Sequence, residues 1–101
     1  QLAVHFHDTF GQALVNTAEA LSQGIRAVDA SSGGLGGCPF APGATGNLST
    51  EDLVYFLQGE GLKTGIDFEK LCRANLDFLQ SFGRPISSRA LMAFAAKQKL
   101  K

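Results

Sequence analysis

Hydrophobic and polar residues alternate at the beginning of this chain and then change to a helical spacing. Alternation over residues 2–7 predicts a β-strand, and Asp8 follows it as a candidate helix cap. Over residues 13–21 the apolar side chains recur three or four positions apart, which predicts a helix that ends near Gly24. The short apolar run 25–30 predicts a second, buried strand.

A second helix is predicted after residue 48. Ser49 has the side chain of a helix N-cap, and Glu51 and Asp52 follow in the first turn, where the helix dipole favours negative charge. We interpret both carboxylates as first-turn charges only. Gly59 or Gly61 is expected to end this helix.

Two more helices follow. Asp67 is the predicted cap of the first, Gly83 its end, and Ser87 or Ser88 the start of the last, alanine-rich helix. The apolar face predicted for the first of these helices consists of Phe68, Leu71, Cys72, Leu79 and Phe82.

The order strand, helix, strand, loop and three helices predicts an α/β fold with a parallel sheet. Because two or three parallel strands cannot close their edges alone, we expect the C-terminal part of a (β/α)₈ barrel with extra C-terminal helices. Residues 1–62 would belong to the barrel and residues 63–101 to a helical extension. Asp29 and Ser31 end the second strand and are expected at the barrel mouth. Since the chain starts in an apolar strand, we expect it to be a fragment of a larger fold.

Composition limits the classes of partner. The 101 residues are 45% hydrophobic and carry a formal net charge of +0, which is typical of a globular protein. Without a basic stripe or an apolar run of roughly 20 residues, we expect neither nucleic acid nor membrane as a partner. Two cysteines make no disulfide framework and favour a reducing compartment.

A glycine-dense loop, residues 32–47, holds Cys38 near its centre. Long loops without their own structure are often functional, and a thiol in such a loop is poorly explained by core packing. We therefore interpret Cys38 as a proton donor or acceptor at a site. Cys72, on a predicted amphipathic helix, is interpreted as a structural residue.

His5 and His7 lie two residues apart on the first strand and should share one face of it, with Phe6 on the other. The pair is either a metal site or two ordinary strand histidines. Asn47 is either a turn residue or a neutral oxygen ligand, and such a mixed set would suit Mg²⁺ or Mn²⁺. Asp8 either caps the helix or supports a ligating histidine.

Three segments together resemble one enzyme family. They are residues 5–13 (HFHDTFGQA), 34–41 (GLGGCPFA) and 43–55 (GATGNLSTEDLVY). In this order and spacing they resemble the C-terminal part of the hydroxymethylglutaryl-coenzyme A lyases, and the resemblance covers nearly the whole chain.

The resemblance implies a metal-dependent barrel, of which this chain would supply about strands 6 to 8. It implies cleavage of (S)-3-hydroxy-3-methylglutaryl-CoA to acetyl-CoA and acetoacetate. His5, His7 and Asn47 would bind Mg²⁺ or Mn²⁺, Cys38 would be the catalytic thiol, and His5 would also serve proton transfer. An acyl-CoA substrate, a homodimer, and a cytoplasmic (bacterial) or mitochondrial-matrix (eukaryotic) location follow from the same resemblance.

One motif of the family is missing from this sequence, and other functional classes share part of the pattern. The family's remaining aspartate ligand and an arginine belong to an Arg-Asp-Gly block that this sequence lacks, so the chain should be inactive alone. A related condensing enzyme or aldolase of the same superfamily, such as an isopropylmalate or homocitrate synthase, would share the histidines without needing Cys38. A non-catalytic helical binding domain is the alternative of a different class.

Overall fold

A computed structural model describes residues 2–36 and 46–99, so the middle of the glycine-rich loop, with Cys38, lies outside the described residues. The described part contains two strands, four α-helices and two short 3₁₀ turns, Thr9–Gly11 and Ser32–Gly34. The strands and helices are β1 (Ala3–His5), α1 (Ala13–Ser22), β2 (Ala27–Asp29), α2 (Thr50–Gly59), α3 (Phe68–Ser81) and α4 (Arg89–Lys99). None of the described helices has both the length and the apolar character that crossing a membrane requires.

β1 and β2 pair in parallel, and α1 connects them as a βαβ crossover. Val4 lies beside Val28 and His5 beside Asp29 in the register. The predicted parallel arrangement is therefore confirmed, although both strands are shorter than their hydrophobic patterns suggested. Which strands of a complete barrel they represent stays a prediction.

Beyond the ends of β1 and β2, the chain pairs with a third segment, residues 46–49. His7 forms an antiparallel bridge with Asn47, and Ser31 forms a parallel bridge with Ser49. The Ser31 N–H donates to the Leu48 carbonyl over 2.9 Å. Residues 46–49 therefore lie between the two strand ends and satisfy backbone groups of both.

The start of α1 differs from the prediction. The helix begins at Ala13, because the 3₁₀ turn Thr9–Gly11 comes first and Phe10 adopts a left-handed φ of 57° within it. Asp8 nevertheless caps the helix from a distance, since its Oδ1 accepts a hydrogen bond of 3.2 Å from the Ala13 N–H. Asp8 therefore has the predicted capping role, but a 3₁₀ turn separates it from the helix that it caps.

The other helix caps follow the sequence. Ser49 Oγ accepts a hydrogen bond from the Asp52 N–H, and Asp67 Oδ1 accepts one from the Lys70 N–H. For α4 the capping residue is Ser88, whose Oγ accepts from a backbone N–H of the first turn over 3.1 Å. Short polar side chains thus satisfy the N–H groups that have no partner within the helix.

The residues that the structure describes form two small hydrophobic cores. The first joins the strands to α1 and α2 and contains Ala13, Leu48 and Leu53, flanked by Phe6, Leu14, Val28, Ala30 and Leu57. The second lies under α3 and α4 and contains Cys72, Leu79 and Leu91, flanked by Leu35, Phe68, Leu76, Ile86 and Phe94. The Ser32–Gly34 turn contacts both α2 and α3, and Leu35 extends from it into the second core.

The predicted apolar face of α3 is correct for Cys72 and Leu79 and wrong for Phe82. Cys72 is fully buried, as a structural cysteine should be. Phe82 is 68% exposed because it follows the last helical residue, and its ring packs on Phe78 at the surface, 4.8 Å between centroids.

Glu51 is buried, so its interpretation as a simple first-turn charge is wrong. Its side chain is 0% exposed, and both carboxylate oxygens accept from the Gly33 N–H, at 3.0 and 3.1 Å. Burial raises the pKa of Glu51 above its ordinary value, an effect that the Gly33 hydrogen bond opposes. The nearby Asn75 amide also lowers this pKa, although its buried Nδ2 makes no well-aligned hydrogen bond in the described part of the chain.

Asp52 also does more than complement the dipole of α2. Its Oδ1 accepts hydrogen bonds from Ser88 Oγ at 2.7 Å and from the Ala90 N–H at 2.8 Å. A carboxylate in the first turn of α2 therefore holds the first turn of α4. Sequence spacing gave no sign of this contact because the partners lie 36 and 38 residues away.

We expect Glu51→Ala to destabilise the full chain by about 1–3 kcal/mol, because the buried Gly33 N–H loses its acceptor. Glu51→Gln keeps one acceptor oxygen and should cost less. Urea unfolding followed by circular dichroism would measure both, with exposed Glu60→Ala as the control. Equal stabilities for Glu51→Ala and Glu60→Ala would contradict the structural role of Glu51.

The same residue predicts a pH dependence. Because the pKa of Glu51 is raised above 4.5 in the folded state, the folded state holds this proton more tightly than the unfolded state does. Its stability contribution should then fall as pH rises above about 4.5. The free energy of unfolding of the parent minus that of Glu51→Gln should therefore decrease toward neutral pH. A difference independent of pH would contradict the raised pKa.

We expect the Cys72 thiol to be unreactive in the folded chain. Burial, followed by the charges of Glu51 and Asp52, raises its pKa to about 11. At pH 8 only about one thiol in a thousand would be ionised. A Cys38→Ser variant leaves Cys72 as the single thiol; it should react with Ellman's reagent only in denaturant. Rapid reaction in buffer would refute the prediction.

Candidate functional site

His5 and His7 project from the same face of the first strand segment, as their spacing predicted. Their ring centroids are 5.2 Å apart, with an interplanar angle of 77°. Phe6, between them, instead packs against the first core. The apolar side chain thus anchors the strand and leaves the two imidazoles together on the opposite face.

Asn47 joins this face through the bridge to His7. Two backbone hydrogen bonds flank the bridge, one from Asp8 to Gly46 at 3.1 Å and one from Leu48 to Phe6 at 3.0 Å. In this pattern the two bridged residues do not bond each other, and their side chains approach most closely on one face. The fold therefore brings His5, His7 and Asn47 together.

The Asn47 amide has one satisfied end and one unsatisfied end. Its Nδ2 donates to the Leu35 carbonyl over 3.0 Å, whereas its buried Oδ1 accepts no hydrogen bond within the described residues. An unsatisfied buried acceptor costs about 1–3 kcal/mol, and a bound metal would satisfy it. Both the ligand interpretation and the turn interpretation of Asn47 stay predictions.

Two glycines allow close approach of the chain beside Asn47. A Cβ on Gly36, whose φ is 108°, would collide with the Asn47 Nδ2. A Cβ on Gly46 would collide with the Gly34 carbonyl. Part of the glycine content of the loop is therefore explained by close backbone approach beside Asn47.

Asp29 is the carboxylate paired with His5. Its Oδ2 lies 3.6 Å from His5 Nδ1, too far for a hydrogen bond, and both side chains are more than half exposed. Since Nδ1 faces Asp29, Nε2 is the His5 nitrogen that remains for another partner. The register of the two strands produces this pair, whereas the residue pattern predicted only that Asp29 ends its strand.

The donor set suits a divalent cation that accepts nitrogen and oxygen ligands. Two imidazoles and an amide oxygen differ from the thiolate set of a structural zinc site and are compatible with Mn²⁺ or Mg²⁺. Among the described residues, no three His, Cys, Asp or Glu side chains gather into a possible metal site, and the amide of Asn47 is not one of these residue types. The unsatisfied Asn47 Oδ1 is the observation that the set fits a metal.

The other predicted site residues are placed only in part. The Asp8 carboxylate binds the Ala13 N–H, which is the capping alternative, and its support of a histidine stays a prediction. Cys38 lies outside the described residues, so its catalytic role stays a prediction as well.

A groove of about 700 Å³ lies elsewhere, between α2 and α4. It is lined mainly by apolar atoms of side chains such as Tyr55, Phe68 and Phe94. His5, His7 and Asn47 do not line it, so cavity size alone points away from the metal-ligand set.

Comparison with known proteins gives consistent results. The family model described as HMGL-like matches residues 1–77. Human mitochondrial hydroxymethylglutaryl-CoA lyase is 54% identical over 92 residues, which are 91% of this chain and 28% of that protein. This chain thus spans less than a third of the human relative's length.

Solved structures show the same relationship. The Bacillus subtilis HMG-CoA lyase has a TM-score of 0.88 at 49% identity, covering 94% of this chain and 32% of that one. An Acinetobacter baumannii HMG-CoA lyase, solved with coenzyme A and 3-methylmalate, has a TM-score of 0.85 at 44% identity, covering 92% and 30%. The chain therefore belongs to the HMGL-like family.

Proposed function

We propose that this chain supplies the metal-binding end of a lyase that cleaves (S)-3-hydroxy-3-methylglutaryl-CoA to acetyl-CoA and acetoacetate. The observation that carries the proposal is the shared face of His5, His7 and Asn47, with the unsatisfied Asn47 Oδ1. The names of the human and bacterial relatives support the lyase over a condensing enzyme. The coenzyme A bound by the A. baumannii relative supports an acyl-CoA substrate.

In this proposal His5, His7 and Asn47 hold Mn²⁺ or Mg²⁺. The metal would act as a Lewis acid toward the oxygen atoms of the substrate. Asn47 contributes a neutral oxygen whose orientation is fixed by the bond from its Nδ2 to Leu35. His5 contributes Nε2, because its Nδ1 faces Asp29.

The chain's own residues also account for proton movement. Cleavage of the C2–C3 bond requires loss of the proton from the C3 hydroxyl and leaves the enolate of acetyl-CoA, which must gain a proton. We propose His5 for proton transfer, on the sequence resemblance alone. We propose Cys38 as the donor to the enolate carbon, on the sequence resemblance alone.

The surroundings of the protein are proposed from the resemblance and the relatives' names. The human relative is a mitochondrial protein by name. We propose the mitochondrial matrix for a eukaryotic source and the cytoplasm for a bacterial one. We also propose a homodimer.

The metal site can be tested by Mn²⁺ titration of the full-length protein, followed by electron paramagnetic resonance. Asn47→Ala should weaken Mn²⁺ binding by at least about 10–100-fold, the range for residues that only orient a ligand, because here a ligand itself is lost. His7→Ala should have at least this effect. Asn16→Ala, which alters an exposed asparagine of α1, should bind as the parent does. Unchanged binding in both site variants would exclude this metal site.

The lyase chemistry can be tested at Cys38. Cys38→Ala in the full-length protein should lower kcat for substrate cleavage by about 10²–10⁴-fold and leave Mn²⁺ affinity unchanged. Cys72→Ala serves as a control for loss of the other thiol, with its folding verified by circular dichroism. Near-normal turnover of Cys38→Ala would contradict the lyase mechanism and favour the condensing-enzyme alternative.

A further inference from the structure

We propose that Ser87, in the segment between α3 and α4, is a positioning residue for the Asn47 amide. It would act by holding the backbone at residues 33–35, whose last carbonyl orients that amide. The inference rests on the proposed role of Asn47 as a metal ligand and assigns part of the C-terminal helical segment to the same site.

The Gly33 residue is held at both of its backbone polar groups. Its N–H donates to the buried Glu51 carboxylate, and its carbonyl accepts from Ser87 Oγ over 3.1 Å. Leu79 of α3 packs against its Cα, so that a Cβ there would lie 3.2 Å from two Leu79 carbons. Glu51 of α2, Leu79 of α3 and Ser87 therefore fix Gly33 together. Ser87 does so although it lies 54 positions later in the chain.

Gly34 and Leu35 connect the fixed backbone of Gly33 to the Asn47 amide. The 3₁₀ turn is closed by hydrogen bonds from the Gly34 N–H to the Ser31 carbonyl and from the Leu35 N–H to the Ser32 carbonyl, at 2.9 and 3.3 Å. The Leu35 side chain packs into the second core. Its carbonyl accepts from Asn47 Nδ2, which places Oδ1 at the opposite end of the amide.

Ser87 and Ser88 have different roles although they are neighbours. Ser88 Oγ caps α4 and donates to Asp52, so its loss would affect the helix itself. Ser87 is exposed. Within the described residues, its side chain makes one hydrogen bond, to the Gly33 carbonyl. Replacing Ser87 therefore removes one directed contact without opening a buried cavity.

The decisive measurement is Mn²⁺ affinity in the full-length protein for Ser87→Ala and for the control Ser81→Ala. Ser81 Oγ is also exposed and donates to a backbone carbonyl, that of Phe78, at the surface of α3. We expect Ser87→Ala to weaken Mn²⁺ binding about three- to tenfold, less than loss of a residue that contacts a ligand directly. Ser81→Ala should be unchanged, and Ser87→Thr, which keeps the hydroxyl, should restore affinity.

A double-variant cycle separates positioning from general destabilisation. If Ser87 acts through Asn47, Ser87→Ala should have no further effect in an Asn47→Ala background. An equal loss in both backgrounds would overturn the inference, as would parent-like affinity of Ser87→Ala while Asn47→Ala binds weakly. Unchanged affinity of Asn47→Ala would instead remove Asn47 from the proposed metal site, and the inference with it.

Discussion

The pairing of residues 46–49 with the ends of both strands is the constraint on which the rest of this structure depends. Leu48 donates to the carbonyl of Phe6, and its own carbonyl accepts from Ser31, so one residue links the two strand ends. The Leu48 side chain is almost fully buried in the first core. Backbone pairing and apolar burial thus fix Asn47 beside His7 in a single arrangement.

Beside this pairing, a buried polar group without a described partner is held in place by a hydrogen bond and by apolar packing. The Asn47 Oδ1 is buried without a described partner, which is unfavourable for folding unless a ligand is bound. The hydrogen bond to Leu35 and the packing of Leu35 into the second core hold the amide in place. A rigid frame can keep an unsatisfied group available, as a binding site requires.

Two neighbouring carboxylates connect the helices to that frame. Glu51 binds the turn at the start of the glycine-dense loop, and Asp52 binds the start of α4. A buried carboxylate is costly, and the raised pKa of Glu51 reflects that cost. Both contacts join elements far apart in sequence, so α2 is connected both to the turn at Gly33 and to the start of α4.

Local features could be predicted from the order of the residues alone: the strand–helix–strand order, the caps at Ser49 and Asp67, the shared face of His5 and His7, and the family resemblance. These depend on residue periodicity, short-range hydrogen bonds and motif spacing, which a sequence displays directly. The burial of Glu51, the hydrogen bonds of Asp52 to α4 and the exposure of Phe82 instead depend on tertiary contacts. Such outcomes depend on which distant elements come together, and local patterns carry no information about those partners.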